Sequence, residues 1–500
     1  MRKYINFQAG ILLVLLSFAA ACNKILDQEP LTALTPKDAL GSASNAEAAL
    51  SSAYSALLPG TYYGEYMHTI TELPGDNTTT ENGLRTEWDN FTWNPTTPFV
   101  QAYNQIYNAI AKANFIIALV PDVDMNEERK KQIIGEAHFL RALHYFNLVR
   151  LYGGVPLYTE PILSGDQQTV EEKGLRPRSS SEEVYQLILD DLGKAADMVG
   201  DAQADASLNR IRAIKPSVYA LQAKVYLTLR DWEKVKTSAQ KVFDNGGLYT
   251  LAADFNSLWP AKSKEESIFE IHYNPPSQGG GIIPDLALPF PLATYSFDKY
   301  PRPTNDFIDN VADKINDKRF KFVAPIMVGG EKVADNYTSF CIGYGAGVVD
   351  QGYFIYKWRN TGSLPFNNPD NYEILRLADV KLMYAEAENE LNGPANAFLN
   401  LNDIRVRAGL SSLDISDLPS KEAFRDEIDL QRRLELAFEG ERWFDLLRYA
   451  KDEKAGIAHQ ITALDVIKQK KGSEDETYLL LPIPQSEINS NPNVTQNQGY

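Results

Sequence analysis

The chain has 500 residues, with 66 acidic against 49 basic side chains and a formal charge of −17. So acidic a body repels phosphate backbones, which argues against nucleic acid as a partner. The five histidines (His68, His138, His144, His272, His459) are scattered and form no HExxH or Cys/His cluster, so neither a metal site nor a cofactor is expected.

At the N-terminus Arg2 and Lys3 precede the apolar run 11–16 and the small residues Ala19, Ala20 and Ala21. That order is the pattern of a secretory signal peptide, here residues 1–21. The run is shorter than the roughly 20 apolar residues a transmembrane helix needs. Cys22 directly after it resembles a bacterial lipobox, although Ala19 stands where Leu or Val is usual. One acyl chain holds a protein weakly and two hold it stably, so acylated Cys22 would anchor the body to its membrane. Residues 23–30 are polar and read as a tether, and Asp27 and Glu29 resemble the acidic surface-export signal of Bacteroidetes lipoproteins. With Cys22 acylated only Cys341 is left, so no intramolecular disulfide is expected and packing must supply the stability.

Helical spacing of apolar residues then predicts helices over 46–58, 99–120 and 127–152, the last stopped by Gly153, Gly154 and Pro156. Ser180 to Glu183 is a capping-box start for a helix with Val184, Leu187, Ile188, Leu192 and Ala195 on its apolar face. A helix pair follows over 217–229 and 232–244; Ala223, Tyr226 and Ala239 make it look like a degenerate tetratricopeptide unit. A second pair is expected over 373–391 and 394–408, and a last helical block over 421–451. Stacked pairs form a superhelical scaffold with a continuous core. Within the block, Arg432/Glu435 and Glu439/Arg442 stand three apart and should bridge on a helix face, while Leu430, Leu434 and Ala437 face the core. Trp232, Trp443 and Phe444 read as core anchors, and Asp379 with Arg376 as a helix-surface or interhelix ion pair.

Between the helical halves, about 251–370, glycines and prolines forbid long helices, and strand-like pieces at 267–273 and 353–358 stand among them. A second irregular stretch runs over 59–98. Long irregular segments in a compact protein are usually functional. The fold class expected is mainly α: a TPR-like scaffold at about 31–250 and 371–500 with a loop-rich insert at 251–370, a few short β-hairpins, and one body over 22–500.

Five segments in order resemble the SusD/RagB family: 141–157 (RALHYFNLVRLYGGVPL), 373–387 (EILRLADVKLMYAEA), 401–410 (LNDIRVRAGL), 432–448 (RRLELAFEGERWFDLLR) and 480–492 (LLPIPQSEINSNP). The motifs themselves read as structural. The resemblance implies a lipoprotein on the outer face of a Bacteroidetes outer membrane, sitting as a lid over a SusC-like TonB-dependent transporter. It would bind a glycan or, in some members, peptide, and hand it on.

A sugar offers apolar C–H faces and a ring of hydroxyls, so its site needs flat rings flanked by polar groups. In the first irregular stretch Asp76, Asn77 and Arg85 offer hydrogen bonds and Trp88 a ring; the resemblance implies binding groups from this loop. Trp93, just before Asn94 and Pro95, reads as a pin of the loop to the body. Tyr273, Tyr295, Tyr300, Tyr353 and Trp358 are the rings of the insert, with Tyr295, Tyr353 and Trp358 as candidates. The acid pairs Glu72/Asp76 and Glu81/Glu87 are what a glycoside hydrolase would have to use. No triad, phosphate loop or zinc motif accompanies them, so a non-catalytic binder is expected.

Overall fold

The computed structural model describes residues 40–81, 83–163, 166–275, 280–288, 292, 300–321, 324–337, 341–344, 352–359 and 364–500. The expected signal peptide 1–21, Cys22 and Tyr295 lie outside the described residues.

Helix α1 (Ala43–Ser55) opens on Ser42, whose hydroxyl accepts from the Asn45 amide at 3.2 Å. After α2 (Tyr66–Glu72) and the short strand β1 (Thr78–Thr79), the chain enters α3 (Ala102–Leu119) and α4 (Glu127–Tyr152). Helix α5 (Ser181–Met198) carries the expected capping box: Ser180 Oγ accepts from the Glu183 amide at 3.2 Å and Glu183 from the Ser180 amide at 2.8 Å. The helix pair is α6 (Lys215–Leu229) and α7 (Trp232–Phe243), turned by Arg230 in the left-handed region at φ 60°. Ala223 and Ala239 are buried, and Tyr226 packs half-buried against the same core.

The insert supplies β2 (Ser267–Ile271), β3 (Arg302–Pro303) and an antiparallel meander of β4 (Ala324–Val328), β5 (Glu331–Tyr337), β6 (Cys341–Tyr344) and β7 (Gly352–Ile355). The chain returns as β8 (Tyr372–Arg376), antiparallel to β2, and passes directly into α8 (Leu377–Asn392). Residues 373–376 were expected to be helical; they are strand because their backbone groups pair with β2, a partner about a hundred residues away. Then come α9 (Phe398–Arg407), α10 (Lys421–Glu435), α11 (Arg442–Lys454) and α12 (Ala463–Lys471). Helix α7 packs against α8 across the whole insert, so the helical stack runs on from one half to the other. The block at 421–451 is split: Phe438 (φ 67°) and Gly440 (φ 82°) turn the chain. A Cβ on Gly440 would stand 2.7 Å from the Tyr372 hydroxyl, so that position needs glycine for space and for backbone.

The family-like motifs build an arginine–carboxylate lattice in the interior. Arg376 donates to Glu439 at 2.8 and 2.9 Å, to Glu435 at 2.7 Å and to Glu266 at 3.2 Å. Arg407 joins Glu266 and Glu435, Arg319 joins Asp317 and Glu435, and Lys357 joins Glu439. Four buried cations thus meet four buried carboxylates, and Glu266, Asp317, Arg319 and Lys357 come from the insert. Next to it, Asp379 takes Lys224 and Arg432, and Asp445 takes Arg432 and Arg448. The expected pairs Arg432/Glu435, Glu439/Arg442 and Arg376/Asp379 are therefore replaced by partners on other elements. Of the core residues expected in α10 and just beyond it, Leu434 and Ala437 are buried, but Leu430 is exposed. Trp443 is buried, and Phe444 and Trp232 pack half-buried on the core.

Candidate ligand-binding site

Strand β1 pairs with β3, Thr78 opposite Pro303 and Thr79 opposite Arg302, so the two irregular stretches meet. The first of them is held from beneath. Asp76 accepts from Arg442 at 2.8 and 3.0 Å and pairs with Arg433 at 3.2 Å. Burial alone would raise its carboxyl, but the two guanidinium groups outweigh that and hold it at about 2. Asn77 is fully buried; its side-chain oxygen accepts from Arg433 at 2.7 Å and its carbonyl from the Thr304 amide at 2.9 Å. Arg85 pairs with Glu65 and lies 4.7 Å from the Tyr300 ring centre and 5.7 Å from that of Phe99.

The rings nominated in the sequence divide by burial. Trp88 is 0% exposed and stacks on Trp93 at 4.8 Å and 23°. Trp93 is a pin, its indole N–H donating to the Tyr500 hydroxyl at 2.7 Å. Trp358 is buried, parallel to Tyr372 within 14° and edge-on to His68 at 5.0 Å. Tyr273 and Tyr300 are buried as well. Tyr353, on β7, is half-buried, with the Lys314 ammonium 5.9 Å from its ring centre.

Beside β7, the strand that carries Tyr353, the two stretches meet in a rim. Strand β3 lies beside β7, placing the Arg302 guanidinium 5.6 Å from the Phe354 ring centre, and Arg302 pairs with Glu81. Leu84 and Ile315, 77% and 76% exposed, add apolar surface next in chain to this group. Leu288 and Phe354 form a small apolar cluster with Leu292, Ile326 and Tyr356 against it. The sequence reading did not single out Arg302 or Lys314; the only signal for Arg302 was its place between Pro301 and Pro303.

The acid pairs are engaged elsewhere. Glu72 is buried, accepts from the Gly440 amide at 2.5 Å, and is raised by burial to about 8. Glu87 accepts from Thr97 at 2.8 Å, and Glu81 holds Arg302.

Comparison with known sequences places the chain. Residues 345–500 match the SusD family profile, and residues 26–227 match a second SusD-like profile described as "Starch-binding associating with outer membrane". The chain belongs to the SusD/RagB family, and the second profile describes starch-binding proteins that associate with the outer membrane. It is 27% identical over 527 residues to SusD-like protein P2 of Formosa agariphila, covering 100% of both chains. It is 25% identical to starch-binding protein SusD of Bacteroides thetaiotaomicron, over 100% of this chain and 99% of that one. A solved structure, a laminarin-binding SusD-like protein, shares its fold with a TM-score of 0.73 at 25% identity, over 92% of this chain and 100% of that one.

Asp76 gives a pH prediction. Its folded value lies below the ordinary aspartate value of about 3.9, so its contribution is complete above about pH 4 and lost as pH falls towards 2. Asp76→Asn should cost about 2–3 kcal/mol at pH 7, with the gap to wild type closing between about pH 4 and 2. Urea unfolding over a pH series measures it; a gap independent of pH would refute the pairing.

Proposed function

We propose that this protein is a non-catalytic, lipid-anchored cell-surface binder that captures a glycan at the Tyr353 rim and delivers it to a SusC-like TonB-dependent transporter. The observation that supports this reading is the half-exposed Tyr353 ring on β7, with Lys314 5.9 Å from its centre, on a strand beside which β3 brings the Arg302–Glu81 pair. A ring receives the C–H face of a sugar while the charged pair exchanges hydrogen bonds with its hydroxyls. Asp76, Asn77, Arg85, Trp88 and Trp358 act in this reading by holding the rim from below. A tether at Cys22 keeps the site beside its transporter, so micromolar affinity suffices. The body is read as one unit over 22–500, the insert seated on the helical frame through the buried lattice.

Titration against laminarin, starch and a peptide pool tests it. Tyr353→Ala should weaken binding of the cognate glycan about ten-fold, roughly 1.4 kcal/mol, with no change in melting temperature. Heat from the peptide pool alone would favour a peptide carrier, and sustained release of reducing ends would make the protein a hydrolase. Cys22→Ser should abolish palmitate labelling and release the protein from outer membranes.

A further inference from the structure

A cavity of about 630 Å³ opens far along the chain from the rim, where the C-terminal end of α4, the start of α5, α11 and the segment 474–480 come together. Its volume is that of a small-molecule site. Phe444 and Leu447 give it an apolar wall, and Ser181 and Gln498 a polar one. Its charges are unequal once partners are assigned. Arg448 is neutralised by Glu386 and Asp445, Lys454 by Glu476, and Glu474 is taken by Lys468. Asp475 accepts from the Thr477 amide at 3.1 Å.

Among the described lining residues two cations are left over against one carboxylate, that of Asp475, which no cation pairs. Arg150 lies between the rings of Phe146 and Phe444, 3.9 and 3.6 Å from their centres, and donates only to the Phe146 carbonyl and to Asn147. The acid whose charge acts on it most, Glu441, is taken by Lys224 at 2.6 Å. Lys451 is exposed at the cavity edge; Arg230 beside it takes the neighbouring Asp452 at 3.4 Å. Among the described residues neither Arg150 nor Lys451 has a carboxylate partner, in a protein whose net charge is −17. Burial holds the Arg150 guanidinium below its ordinary value.

We propose that this cavity is a second ligand site, for a sugar acid of about disaccharide size whose carboxylate bridges Arg150 and Lys451. The rings flanking Arg150 fix its guanidinium as a flat donor for a carboxylate, the geometry in which an arginine binds best. Phe444 and Leu447 take the C–H side of the sugar, and Ser181 and Gln498 its hydroxyls. The site shares no residue with the Tyr353 rim, so it stands whether or not that rim binds a glycan.

Calorimetry on the full-length protein in detergent tests it with three probes: digalacturonate, its dimethyl ester, and glutarate. Digalacturonate should bind at least about ten-fold more tightly than either of the others. Lys451→Glu, which alters an exposed side chain, should lose at least about ten-fold in affinity, and Lys451→Ala a smaller part of it, at wild-type melting temperature. The proposal is overturned if the ester binds as well as the acid, if glutarate binds as well as digalacturonate, if both Lys451 variants retain wild-type affinity, or if digalacturonate gives no heat.

Discussion

Replacing Arg376 with alanine should cost about 3–5 kcal/mol of folding stability, among the largest effects of any single change in this chain. Arg376 sits where β8 turns into α8, is 3% exposed, and donates to three carboxylates, Glu266, Glu435 and Glu439. Removing it leaves four buried carboxylates to three buried cations. Each carboxylate keeps at least one partner among Arg407, Arg319 and Lys357, but one negative charge is no longer compensated where water does not reach. A buried ion lattice is weak evidence for stability when intact and a strong liability when broken. The double change Arg376→Met with Glu439→Gln restores the balance, since the new side-chain amide oxygen still accepts from Lys357. It should therefore be less destabilised than Arg376→Ala alone. Chemical unfolding of the two variants measures this, and a double variant as unstable as the single one would show that charge balance is not the cause.

The same lattice explains what could be read from the sequence. Local rules located what local forces decide: α4 runs from Glu127 to Tyr152 as its spacing and the following glycines indicate, and the Ser180–Glu183 box starts α5. They failed where a distant partner decides. Nothing near Glu373 says that Ser267–Ile271 will pair with it, or that Arg432 will reach Asp379 and Asp445 rather than Glu435 one turn on. The family resemblance located motifs whose buried charges bind the insert to the helices, so resemblance reported fold more directly than site. The candidate site was legible only as a region. A count of aromatic residues cannot tell a ring that faces solvent from one that fills a core, and of the described candidates Tyr353 alone keeps a half-exposed ring. Glu81 and Arg302 meet across β1 and β3, a pairing of two-residue strands with no sequence pattern of its own.

Trp88 separates these two kinds of ring by experiment. It is 0% exposed, stacked on Trp93 and edge-on to Phe99 at 6.2 Å. Trp93 in turn meets Tyr478 at 5.0 Å and donates to Tyr500, whose own hydroxyl donates to the Leu480 carbonyl at 3.0 Å. The loop carrying Trp88 is thus joined to the C-terminal segment through a chain of rings. Trp88→Ala would open a cavity the size of an indole at the centre of that chain, and should cost about 3–5 kcal/mol. Trp88→Phe keeps a ring and should cost clearly less, because only part of the volume is lost. Any loss of glycan binding by Trp88→Ala should then track its lower melting temperature and be recovered on cooling or in Trp88→Phe. A ring that stacks on sugar behaves the opposite way: its alanine variant loses the ligand and keeps its stability, as expected for Tyr353→Ala. Melting curves and glycan titrations on the three variants decide the matter, and a Trp88→Ala protein with wild-type stability and no binding would place the ligand against Trp88 instead.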